Sequence, residues 1–348
     1  MPDSDYTIPI QRVQSFVALA LRRGWDIEPM MRAAGISPML FAQGRSRVTM
    51  RQASALVRQL WAITDDELMG LGRTAVPRGT SRLVGSAVLA TAHDVGSALE
   101  RYVEFNRAIP GTPEVYMTHS AEETVLAVDL SRVDRPISLL VDAMLATGHR
   151  LLEWATGRRI ALRRVEVPYP KPDDVDDYNL IFAAPVFFDA PRAAMVLDNA
   201  ILTTPLIRDE TELGQFIARA PADLLIRHEG GVTVTDQVRR MLIRDIGREW
   251  STTEQLATRL AMSPQTLRRK LRAEGTSIRE IRDRILRDAA IDSLSRGAET
   301  IAALSQRLGF SEPSAFTRAF RRWTGSAPRS YQPRGQRGRV SRGSAPYR

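Results

Sequence analysis

Glu254-Gln-Leu-Ala-Thr-Arg-Leu-Ala-Met-Ser263 returns about 48 residues later as Ala302-Ala-Leu-Ser-Gln-Arg-Leu-Gly-Phe-Ser311, and this repeat decides the fold of the last third of the chain. Leu256/Leu304, Arg259/Arg307, Leu260/Leu308 and Ser263/Ser311 are identical pairs. One extra residue enters the second copy, after which Leu267/Phe316, Arg269/Arg318, Leu271/Phe320 and Arg272/Arg321 stay in register. Gly275 and Gly325 close the two units. Each copy reads as a short helix, a tight turn and a second, amphipathic helix.

Local signals support that division. Thr252, Thr253 and Glu254 offer capping hydroxyls and an early carboxylate for the first helix. Ser263-Pro264 sets a capping hydroxyl before a proline at the first helical position, and Ser311-Glu312-Pro313 is expected to open the second copy in the same way. Leu267 and Leu271 recur at i, i+4, which turns Arg268, Arg269 and Arg272 toward the opposite surface. Phe316, Phe320 and Trp323 form the matching stripe, leaving Thr317, Arg318, Arg321 and Arg322 outside. Two helices joined in this way form a helix-turn-helix, whose second helix enters the DNA major groove. Between the copies, residues 277–294 contain no Gly or Pro and read as one helix with Ile278, Ile281, Ile285, Ala289 and Leu294 on its apolar side. Its length of about 27 Å is close to the roughly 34 Å between successive major-groove faces.

Charge follows the same partition. The chain has 348 residues, 49 basic and 40 acidic side chains, and a net charge of +9. Residues 241–348 hold 22 basic against 10 acidic groups, a net of +12; the first 240 hold 27 against 30, a net of −3. Basicity confined to one region is the footprint of a surface that meets phosphates. Residues 334–348 carry Arg334, Arg337, Arg339, Arg342 and Arg348 among Gly, Ser and Pro, and read as a disordered basic tail. The length suggests about two domains, and 43% apolar with 26% charged residues is a globular composition. The absence of cysteine excludes disulfides, thiolate metal sites, cysteine nucleophiles and thiol sensing. The apolar run at residues 16–21 is far too short to span a bilayer, so a cytoplasmic protein is expected, with no membrane partner.

The first two-thirds mix helices and strands. Residues 10–21 and 50–63 carry helical apolar stripes, Asp94 can cap a helix through Leu99, Tyr102 and Val103, and residues 137–154 read as a long helix. Val115-Tyr-Met and the alternating residues 124–130 flank a turn and read as a hairpin; residues 161–167, 184–188 and 194–197 are further strand candidates. The expected fold is an α+β N-terminal sensor domain followed by an all-α C-terminal domain of two helix-turn-helix units joined by a long helix. The expected boundaries are 1–215 for the effector-sensing and dimerisation domain, 216–240 for a linker, 241–333 for the DNA-binding domain and 334–348 for the tail.

No catalytic constellation emerges. His93, His119, His149 and His228 are scattered, with no metal-binding pair at helical spacing. Asp173-Asp174-Val-Asp176-Asp177 lacks the glycine and distant glutamate of a calcium loop, and reads as a solvated acidic turn. Gly70-Leu-Gly72 lacks the remainder of a nucleotide fingerprint. The chain is expected to be no enzyme and to need neither cofactor nor metal.

Residues 303–311, Phe316-Thr-Arg-Ala-Phe-Arg321 and Gly325-Ser-Ala-Pro-Arg-Ser-Tyr331 together resemble the signature of AraC/XylS-family transcription regulators, over about residues 251–331. The closing aromatic-basic pair of that signature is here Tyr331-Gln332. Gly24-Trp-Asp-Ile27, Ala34-Gly-Ile36, residues 65–72 and Phe182-Ala-Ala-Pro-Val-Phe-Phe188 resemble, across about residues 10–205, the arabinose-binding-type N-terminal domain of the branch that includes ornithine-utilisation regulators. The resemblance implies two helix-turn-helix units in adjacent major grooves. At the matching positions it implies base contacts by Gln265, Arg268 and Arg269 in the first unit and by Ser314, Thr317 and Arg318 in the second. Pro313 stands where a donating side chain is common. Arginine can bond guanine O6 and N7 bidentately, glutamine can do so to adenine, and threonine can meet a thymine methyl. Arg272, Arg321 and Arg322 lie farther along their helices, at positions suited to phosphates.

The expected function is therefore a sequence-specific transcription regulator, expected to be an activator, controlled by a small-molecule effector of unknown identity. The alternative keeps DNA binding but makes the N-terminal domain a ligand-free dimerisation or protein-interaction module. Expected partners are double-stranded promoter or operator DNA, the effector, a second copy of the chain as a homodimer, and RNA polymerase.

Overall fold

Strand β1 (Thr7–Pro9) runs directly into helix α1 (Ile10–Arg22), whose stripe of Ile10, Val13, Phe16, Leu19 and Ala20 is buried. The computed structural model describes residues 6–42, 44–133, 138–173, 175, 177–218 and 233–333. Helix α2 (Ile27–Ala33), capped by the Asp26 carboxylate, and β2 (Arg47–Thr49) follow. β1 and β2 pair antiparallel, Ile8 opposite Val48. Helix α3 (Met50–Thr64) then buries Leu56 and Leu60.

The chain divides into two compact units, Met1–Ala53 with Glu229–Arg348, and Ser54–His228. The described residues 6–42 and 44–53, expected within the 1–215 domain, thus fall in one compact unit with the C-terminal helices. The reason is physical: Thr7, Ser46 and Arg47 are buried, and their partners are Asp288, Ser326 and Tyr331.

The compact unit Ser54–His228 holds α4 (Thr80–Thr91), α5 (Val95–Ala108), strands β3 (Glu114–His119) and β4 (Glu123–Asp129), α6 (Ser138–Thr156), β5 (Leu162–Glu166), α7 (Tyr178–Phe182), β6 (Val186–Phe187), β7 (Ala193–Asp198) and α8 (Glu210–Ala218). Asp94 caps α5 as expected, and Ser97 completes a capping box. The sheet order is β3-β4-β7-β5-β6, antiparallel except for the β5–β6 pair. One face buries Val115, Leu126, Val165, Met195 and Leu197 against Val95 and Leu99 of α5 and Val141 and Leu145 of α6. On the other face small residues, Ala127 and Ala194, lie beneath Tyr116. There Arg164 bridges Glu123 (2.9 Å) and Glu166 (2.8 Å), which Arg192 also meets (2.9 Å). The Arg164 guanidinium holds the Glu123 carboxyl below its ordinary range.

The C-terminal helices are α9 (Val234–Ile243), α10 (Thr253–Arg259), α11 (Pro264–Ala273), α12 (Ile278–Arg296), α13 (Ile301–Arg307) and α14 (Pro313–Thr324). Residues 216–240, expected as a linker, contain the end of α8 and most of α9. Phe216 stacks on Trp154 at 5.0 Å in one compact unit; Val234, Val238 and Leu242, at i, i+4, i+8, join the core of the first helix-turn-helix in the other. The expected basic tail, 334–348, lies outside the described residues, as do His228, Asp174 and Asp176. The fold is an α/β N-terminal domain with sheets followed by a helical helix-turn-helix region.

Candidate nucleic-acid interface

Both helices of the first helix-turn-helix begin at a side-chain cap. Thr252 accepts the Gln255 N–H and Gln255 reciprocates, a closed capping box on α10. Ala261 turns the chain with φ +51°, and Ser263 then accepts the Thr266 N–H at 3.1 Å to start α11, with Pro264 in the first helical position. Leu267 and Leu271 are buried against Leu256, Ala257, Val238, Ile281 and Ile285. With that side fixed, Gln265, Arg268, Arg269, Lys270 and Arg272 are all exposed or half-buried, away from the core. At the N-terminus of α10, its own backbone N–H and the Thr252 hydroxyl hold the Glu254 carboxyl below its usual range, and the nearby positive Arg268 adds to the effect.

The second helix-turn-helix repeats the plan, but its recognition helix starts differently. Thr300 caps α13 and Gly309, φ +82°, takes the turn position that Ala261 holds in the first copy. Ser311, however, does not cap α14. Glu312 is the capping-position residue, and its side chain makes no capping bond; it accepts instead from the Ser314 hydroxyl at 3.0 Å. The extra residue in this copy moves the serine one place too early. Thr317 donates its hydroxyl to the Pro313 carbonyl at 2.9 Å. Two of the three base readers expected in this copy therefore have their hydroxyl protons engaged locally.

Phe316 and Phe320 are fully buried, as the sequence spacing requires, while Trp323 is half-buried. Ring contacts join Phe310 to Phe316 (5.5 Å), Phe316 to Phe320 (5.7 Å) and Phe320 edge-on to Tyr331 (5.2 Å). This aromatic stack leaves Ser314, Arg318, Arg321 and Arg322 exposed and Thr317 half-buried. Arg322 sits 3.9 Å from Asp283, so part of its charge is neutralised within the protein. Arg307 is held by Glu299 at 2.6 Å, and this bond keeps the Glu299 carboxyl below its ordinary range.

The joining helix α12 opens on the Ser277 hydroxyl and ends at Gly297, φ +61°, a left-handed residue that a side chain would strain. At 19 residues it is about 28 Å long. Its first half packs on the first helix-turn-helix through Ile281 and Ile285. Ala290, Ile291 and Leu294 in its second half are fully buried. Sequence reasoning missed Asp288 and Asp292, both buried. The signal was available: with Ile281 and Ile285 they follow 4-3-4 spacing, two carboxylates on an apolar stripe.

Elsewhere, the Gly70/Gly72 segment and the buried histidine have structural settings. The Asp66 carboxylate accepts the Leu68, Gly70 and Val76 N–H groups and so organises that loop. His149 is fully buried with its Nε2 2.7 Å from the Ile160 carbonyl. Among the described residues no His/Cys/Asp/Glu group forms a metal cluster, and no helix is long and apolar enough to cross a membrane. The compact unit Ser54–His228 opens a cleft of about 400 Å³ lined by Arg73, Thr74 and residues 107–111.

Comparison with known proteins matches this architecture. The family model described as the arabinose-binding domain of AraC transcription regulators, N-terminal, matches residues 24–206, more than half of the chain, and a helix-turn-helix domain model matches residues 256–334. The ornithine utilization regulator of Pseudomonas aeruginosa is 22% identical over 329 residues, 93% of this chain and 96% of that protein. An uncharacterized HTH-type transcriptional regulator of Mycobacterium bovis is 41% identical over 117 residues, 33% of this chain and 34% of its own length. The crystal structure of the transcriptional regulator CdpR from Pseudomonas aeruginosa is 26% identical, with 73% of this chain and 82% of that chain covered at a TM-score of 0.30. These relatives are regulators rather than enzymes. With its two helix-turn-helix units and its arabinose-binding-type N-terminal domain, the chain belongs to the AraC family of DNA-binding transcription regulators.

Proposed function

We infer that the chain is a sequence-specific activator that works as a homodimer, contacts RNA polymerase at its promoters, and is controlled by a small-molecule effector held by the arabinose-binding-type domain. The observation that carries the DNA half is the outward-facing Gln265, Arg268 and Arg269 on a helix whose opposite side is locked by Leu267 and Leu271. These three read base edges; Ser314, Thr317 and Arg318 do so in the second helix-turn-helix, less strongly because of Pro313 and the engaged hydroxyls. Arg272, Arg321 and Arg322 hold phosphates.

The family match and the arginine-lined cleft support the effector half. Control follows only if the effector binds two arrangements of the chain with different affinity. The test is thermal unfolding of the full chain against a metabolite panel. An effector at 100 times its dissociation constant adds about 2.7 kcal/mol of stability. No shift with any compound, together with a specific protein captured in pull-downs, overturns the effector half and leaves a ligand-free dimerisation or protein-interaction module.

A further inference from the structure

The N-terminal segment touches the DNA-binding helices at three places, and the three lie on different parts of them. Tyr6 meets α9 beside the first helix-turn-helix: Arg239 donates to the Tyr6 hydroxyl at 3.2 Å and lies 4.3 Å from the ring centre. Thr7 meets the joining helix, donating its hydroxyl to Asp288 at 2.6 Å. Ser46 and Arg47 meet the turn that follows the second helix-turn-helix. The Ser46 and Ser326 hydroxyls are 2.9 Å apart, and the Arg47 N–H donates to the Tyr331 oxygen at 3.0 Å. Burial pushes the Tyr331 phenol above its ordinary value, as expected of a hydroxyl committed to an interior contact.

These contacts are wired to one another. Arg47 donates to the Thr7 hydroxyl at 2.9 Å and to the Thr7 carbonyl at 2.8 Å, so the two strands lock the anchors together. Asp288, also met by Arg287 at 3.1 Å and by Arg239 at 4.0 Å, is a buried charge that needs these partners. Besides this segment, α12 runs between the two DNA-reading units, and Gly247 closely approaches the Arg307 carbonyl.

We propose that residues 6–42 and 44–49 are a brace that fixes the distance and rotation between the two recognition helices, with Thr7, Arg47 and Tyr331 as positioning residues for DNA binding. A rigid pair of reading heads pays its ordering cost before it meets DNA, and it accepts only half-sites at one spacing. Spacing selectivity is thus built by a segment distant in sequence from both heads. The proposal rests on the inference that both heads read bases.

The test uses full-length Thr7→Val and Tyr331→Phe, which remove one hydroxyl each at nearly constant volume, and Thr7→Ser, which restores one. DNA sites are selected from a random library with the wild-type chain, then lengthened by one base pair between half-sites, a rotation of about 34–36°. Because the chain has no cysteine, Thr258→Cys and Ala302→Cys, exposed positions on α10 and α13, give a clean spin-label pair. The expected result is a broadened label distance in the valine and phenylalanine variants. Their discrimination against the lengthened site falls about fivefold or more, the lower end of ordinary coupling between sites. Serine restores both. An unchanged distance with equal losses on all DNA overturns the proposal, leaving the segment a source of stability alone. A wild-type chain indifferent to spacing, with the distance still broadened in the variants, sinks the two-headed reading instead and leaves the brace.

Discussion

Binding to DNA is expected to weaken about 10³–10⁵-fold when salt rises from 50 to 200 mM, as for a protein that neutralises about 6–10 phosphates. The magnitude comes from the surface. Outside the proposed base readers, Lys270, Arg272, Arg321 and Arg322 lie exposed on the two recognition helices, and the proposed homodimer doubles these four to eight. Each phosphate they neutralise releases condensed counterions, and raising the salt makes that release less favourable. Arg322 contributes less than a full charge because of Asp283, and Arg307 is committed to Glu299. A logarithmic slope of binding against salt gives the number of phosphates held, and a flat response contradicts the DNA reading.

Phe320→Ala is expected to cost about 3–5 kcal/mol, the range for truncating a buried aromatic. Phe320 is fully buried between Phe316 and Tyr331, at 5.7 and 5.2 Å. Its removal opens a cavity under α14 and loosens the ring whose hydroxyl receives Arg47. That loss is a large share of a domain's usual stability of about 5–15 kcal/mol, so DNA binding through the second helix-turn-helix goes with it. Denaturant unfolding of the full chain, followed at the C-terminal helices, checks the figure. A loss below about 1 kcal/mol would mean that the site collapses freely, which its close ring contacts argue against.

Local chemistry made the recognition units legible in the sequence. Thr252, Ser263 and Ser277 each cap the helix that follows, and a leucine pair at i, i+4 is enough to aim the arginines of α11. The failure at Ser311 is equally local: one inserted residue separates hydroxyl from helix start, and proline fills the first helical position without a cap. The docking of the segment that carries Tyr6, Thr7, Ser46 and Arg47 was not legible. Its bonds join positions 233 to 284 residues apart, and neither Thr7 nor Ser46 carries a local signature of its partner. Only the partner side left a trace, in the Asp288 carboxylate on a largely apolar stripe. Strand β6 shrank to Val186–Phe187 because it pairs with β5 over two residues only.

Whether α11 reads bases rather than merely resting on phosphates is the point on which the functional reading turns. Dissociation constants of the wild-type chain and Arg268→Ala, measured at one salt concentration on a selected site and on a scrambled site of equal length, test it most directly. Base reading predicts a loss of about 1–3 kcal/mol on the selected site, nearly none on the scrambled one, and relaxed preference at a single base pair. Equal losses on both DNAs would contradict it.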